Sequence, residues 1–85
     1  MPRARRFEVF TCDRGRKTYD ANSTDLHTLT EIVQEVVDSR FWVELDQIPV
    51  DVIARCLPNL ALPRSTRRLL EIWIEERGAK PRRSA

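Results

Sequence analysis

Hydrophobic positions in this chain change their spacing from one segment to the next. Phe7, Val9 and Thr11 alternate with Glu8, Phe10 and Cys12, the two-residue period of a strand with one face turned inward. Asp13-Arg14-Gly15-Arg16 supplies turn chemistry, and Lys17 to Ala21 around Tyr19 returns as a second strand, so the chain is predicted to open on a β-hairpin. Asn22-Ser23-Thr24-Asp25 is then a run of helix-capping residues, with Thr28-Leu29-Thr30-Glu31 as a second capping box one turn later. Beyond it Leu26, Leu29, Ile32, Val33, Val36 and Val37 recur at helical spacing, opposite Glu31, Gln34, Glu35 and Asp38. This predicts one long amphipathic helix.

From Phe41 the two-residue period comes back. Phe41, Val43 and Leu45 alternate with Trp42, Glu44 and Asp46, which marks a candidate third strand. Pro49 opens a short helix striped by Val52, Ile53, Cys56 and Leu57, which Pro58 stops. Ser65 or Thr66 caps a last helix through Leu69, Leu70, Ile72, Trp73 and Ile74, and Gly78 ends it. The fold class that results is α+β: an N-terminal hairpin with a candidate third strand, packed against one long and two shorter helices. The domain is expected over residues 7–78, with basic, Pro-containing tails at 1–6 and 79–85.

Composition narrows the class without naming a function. In 85 residues, 41% hydrophobic and 33% charged, there is material for one small globular core. No run approaches the roughly 18 apolar residues of a membrane span, and the N-terminus lacks the apolar stretch of a signal peptide. A cytoplasmic protein without membrane contact is expected. Cys12, Cys56 and the lone His27 are scattered, short of the roughly four ligands of a zinc site, so neither metal nor cofactor is predicted and both cysteines read as small buried hydrophobes.

Charge is segregated. Residues 1–17 hold Arg3, Arg5, Arg6, Arg14, Arg16 and Lys17 against Glu8 and Asp13; residues 18–53 hold eight carboxylates against Arg40 alone; the remainder is again basic, and the whole nets only +2. The blocks must either present separate faces or neutralise one another. The last helix is charged against its own dipole, because Arg64, Arg67 and Arg68 crowd its positive start and Glu75 and Glu76 its negative end. Those arginines read either as a receptor for anionic groups or as internal partners of the acidic middle block.

Catalysis finds little support. His27 stands alone at a helix start, Glu31 and Glu35 share a face as any solvated pair does, and two glycines cannot build a phosphate loop. The expectation is a non-catalytic regulatory protein, an inhibitor or adaptor, binding another protein. Contact would run through Arg64, Arg67, Arg68 and Trp73, or through an acidic helix face of Glu31, Glu35 and Asp38. Such opposed patches also suit a homodimer. The competing expectation is a nucleic-acid binder using Arg14, Arg16 and Lys17 in the hairpin turn with Arg64, Arg67 and Arg68, and with Tyr19 or Trp42 to stack on bases.

Overall fold

The computed structural model describes residues 5–39 and 42–78, so the tails at 1–4 and 79–85, together with Arg40 and Phe41, lie outside the described residues. Strands β1 (Arg6–Thr11) and β2 (Gly15–Asp20) form an antiparallel hairpin, followed by α1 (Leu26–Asp38), a 3-10 segment (Trp42–Gln47), α2 (Val50–Cys56), a short 3-10 turn (Leu57–Asn59) and α3 (Arg64–Glu76). The fold is α+β.

Gly15 adopts a φ of 69°, the left-handed conformation that lets the Cys12-Asp13-Arg14 turn close. Phe7, Val9 and Thr11 face inward as their alternation predicts, and Phe7 sits opposite Tyr19 with ring centroids 5.8 Å apart. Arg5 and Arg6, expected in the tail, belong to the domain. Arg6 pairs with Asp20, and the Arg5 carbonyl accepts from the Ala21 amide at 2.9 Å, adding a further backbone bond to the hairpin.

Asp25 is the N-cap of α1, accepting from the Thr28 amide at 3.0 Å and from its hydroxyl at 2.8 Å. Leu29, Ile32, Val33, Val36 and Val37 form the buried stripe of that helix and meet Val52, Ile53 and Cys56 of α2 in one core. Each large side chain so buried contributes about 1.5 to 3 kcal/mol. Gln34, at the edge of the stripe, fastens the connector after α2: its amide oxygen accepts from the Ala61 N–H at 2.8 Å and its NH₂ donates to the Ala61 carbonyl at 3.1 Å.

The candidate third strand is not a strand. Over 42–47 the backbone is 3-10 helical, and burial follows Trp42, Leu45 and Ile48 at spacing three, while Val43 points outward at 72% exposure. The alternation of apolar and polar residues is real, but a segment this short also satisfies a period of three. It lies beside β1 without extending the sheet: the Phe10 amide donates to a Glu44 carboxylate oxygen, a long contact of 3.5 Å, where a strand would offer a carbonyl.

α3 starts at Arg64 behind Pro63, one position ahead of the predicted caps, and no side chain caps it. Its far end closes at Gly78, φ 83°, as predicted. Leu70 and Ile74 are fully buried in the core. Of the two cysteines Cys56 is buried, but Cys12 is exposed, because β1 ends at Thr11 and the turn takes the next residue.

Candidate functional site

The charge blocks neutralise one another along a route the sequence does not show. Arg14, held in the hairpin turn, reaches α1 and donates from Nε to Glu35 at 2.8 Å and from Nη2 to Glu31 at 3.0 Å. The hydrogen bond and charge of Glu35 hold the Arg14 guanidinium above its usual value. Arg5 pairs with Asp51 at 2.6 Å and Arg77 with Asp46 at 3.0 Å. The middle block is thus bridged by residues near both ends of the domain, and the arginines at the start of α3 take no part.

Those three arginines separate by direction. Arg67 turns inward and its guanidinium donates to the carbonyls of Leu57 and Leu60, both at 2.7 Å, fixing the turn after α2 to the start of α3. Arg68 lies outward with one exposed contact, to Glu71 at 3.3 Å. Arg64 is exposed, and no ion pair with a described residue engages it. In the hairpin Arg16 pairs with Glu8 at 3.3 Å, while Lys17 is exposed. Of the six basic residues in the two clusters, Arg14 and Arg16 are thus paired with carboxylates and Arg67 with carbonyls, while Lys17, Arg64 and Arg68 lie exposed.

The acidic face of α1 is partly occupied. Glu31 holds Arg14 on one oxygen and lies 3.0 Å from the His27 Nε2 on the other, and Asp38 accepts from the Gln34 amide at 2.9 Å. Arg14, His27, Glu31, Glu35 and Asn59 line an open cleft of about 650 Å³ there. Leu26, itself exposed, also lines it, so apolar surface there lies beside carboxylates that Arg14 already pairs. Tyr19 is half-buried against Phe7, which leaves it poorly placed to stack on a base. Among the described residues, no three His, Cys, Asp or Glu side chains stand together as ligands for a metal ion.

The outer side of α3 differs. Leu69 is 58% exposed and Ile72 37%, one helical turn apart, on the side opposite Leu70 and Ile74. With Trp42, Trp73 and Glu76 they line a shallow groove of about 290 Å³. Trp73 is half-buried, its indole covered by Arg77 with the guanidinium carbon 3.7 Å from the ring centroid. The apolar run 69–74 already exceeds one helical stripe in the sequence, which is the signal of a surplus face. The sequence names Trp73 for contact; Leu69 and Ile72 are the residues actually presented, and the contribution of Trp42 needs the 3-10 turn.

No family model, no curated protein and no solved structure matches this chain. No helix among the described residues is long and apolar enough to cross a membrane.

Proposed function

We propose that this chain is a non-catalytic binding protein, an inhibitor or adaptor of the cytoplasm, that works by protein-protein contact through the outer face of α3. One observation carries the reading: the same helix fills the core with Leu70 and Ile74 while presenting Leu69 and Ile72 to solvent, beside a groove walled by two tryptophans. Adjoining exposed aliphatic side chains flanked by aromatic rings and arginine are the usual make-up of an interface centre. The α1 face is a weaker candidate, since Arg14 already occupies Glu31 and Glu35. Nucleic-acid binding loses its main supports in the same way, with Arg14 and Arg16 engaged by carboxylates and Arg67 by carbonyls.

A photo-crosslinking amino acid at position 69 tests this in cells. Irradiation is expected to give discrete protein adducts, identified by mass spectrometry, that the same group at exposed Thr18 on β2 does not give. Absence of protein adducts at 69, together with steeply salt-dependent binding of arbitrary DNA or RNA, would overturn the proposal in favour of a nucleic-acid partner.

A further inference from the structure

The charge order of α3 disfavours the helix on its own, and it becomes favourable against one particular neighbour. Its exposed side runs from Arg64 and Arg68 through Leu69 and Ile72 to Glu75 and Glu76. Basic end, apolar centre and acidic end follow one another along a single surface. The first turn contains no acidic residue, the last no basic one, and no side chain caps the start. A surface of this order is complementary to itself when turned end for end.

Resting on the reading of α3 as a contact face, we infer that its occupant is a second copy of this chain, docked with the two α3 helices antiparallel about a two-fold axis near Ile72. A two-fold there sets position 68 of one copy opposite 76 of the other, and 69 opposite 75. The eight steps from Arg68 to Glu76 span about 12 Å at 1.5 Å per residue, so the apolar centre lies between two oppositely charged ends. Antiparallel docking brings the Arg64 and Arg68 end of each copy to the Glu75 and Glu76 end of the other, and Ile72 meets its own equivalent. Parallel docking would set arginine on arginine. The interface is isologous and closed, so association stops at two. Antiparallel neighbouring dipoles also compensate one another, and the carboxylates of Glu75 and Glu76 come beside Arg68 in the second turn of the facing helix. Arg67 remains outside the interface because its guanidinium holds the Leu57 and Leu60 carbonyls.

The patch is small, so association is expected at dissociation constants of the order of micromolar, the range of weak interfaces. Sedimentation across concentration reads it directly, with circular dichroism melting to verify that each variant folds. The full chain should pass from one-chain to two-chain mass, and Leu69→Glu with Ile72→Glu should hold it at one. The decisive variants exchange charge. Arg64→Glu with Arg68→Glu makes the exposed side acidic at both ends, and Glu75→Arg with Glu76→Arg makes it basic at both ends. Each should dimerise about tenfold or more weakly alone, and a mixture of the two should form a mixed dimer. One-chain mass for the unaltered protein at the highest soluble concentration would overturn the inference, as would a mixture that does not associate. If that one-chain protein still crosslinks from position 69 to a different protein, the contact face stands and only its occupant is wrong. If it neither dimerises nor crosslinks, both readings fall.

Discussion

Arg67 and Arg68 are neighbours of the same type on the same helix, and the structure expects their removal to have very different costs. Arg67→Met keeps much of the aliphatic stem and deletes two charge-assisted hydrogen bonds to backbone carbonyls, each 2.7 Å long and partly shielded from water. The Leu57 carbonyl keeps a second donor, the Leu60 amide at 3.2 Å, whereas the Leu60 carbonyl loses the guanidinium that engages it. Hydrogen bonds to a charged group are worth about 1.5 to 3 kcal/mol, and with one carbonyl still served the loss should be about 2 kcal/mol in all. For a domain of 85 residues, with total stability of about 4 to 13 kcal/mol, that is a large share. It corresponds to a melting temperature lower by about 8 to 16 °C. Arg68→Ala removes an exposed contact three residues away on the same helix and should cost about 0.3 kcal/mol. Arg67→Lys retains the charge and lacks the fork that reaches two carbonyls, and should fall between. Thermal melting by circular dichroism at dilute protein ranks the three. Equal losses for Met at 67 and Ala at 68, or full retention by Lys at 67, would refute the clamp.

Leu70→Ala should destabilise by about 2 to 5 kcal/mol in denaturant titration while Leu69→Ala stays within about 0.5 kcal/mol at dilute protein, because only the former is buried. In the native protein at about pH 8, maleimide should label exposed Cys12, and burial, which pushes the Cys56 thiol up, should delay Cys56 until denaturant is added; equal labelling rates would contradict the packing around α2. The Asp25 carboxyl is lowered first by the Thr28 hydroxyl and then by the Thr28 amide, so its ionised form stabilises the fold above the unfolded value of about 4, and that contribution is lost as pH falls through the lower folded value. Asp25→Asn keeps the cap acceptor but does not titrate, so melting of the variant should decline less than that of the parent between about pH 5 and pH 2.

Local features were legible in the sequence where one residue type could satisfy one need. Asp25 at a cap, Gly15 and Gly78 at left-handed positions, and the inward row of Phe7, Val9 and Thr11 each announce themselves within a few residues. The 42–47 segment did not, since six residues of alternation fit two periods and the choice is made by which side chains the core accepts. The inward set of buried Leu45 and Ile48 with half-buried Trp42 is visible only once α1 and β1 are in place. Arg67 and Arg68 are indistinguishable by type, and a 100° rotation along the helix sends one inward and the other out. The bond from Arg14 to Glu35 joins positions 21 apart and depends on how the hairpin leans on α1, which no local pattern encodes. The expected burial of Cys12 fails by a single residue, the difference between the last position of a strand and the first of a turn.

The two ion pairs made near the ends of the domain, Arg5 with Asp51 and Arg77 with Asp46, land on a stretch only six positions long. Side chains from both extremities of the domain thus converge on the end of the 3-10 segment and the first turn of α2. That stretch acts as a shared fastening, so a break in the chain between Asp46 and Asp51 would part the anchor beside the first strand from that of the last helix.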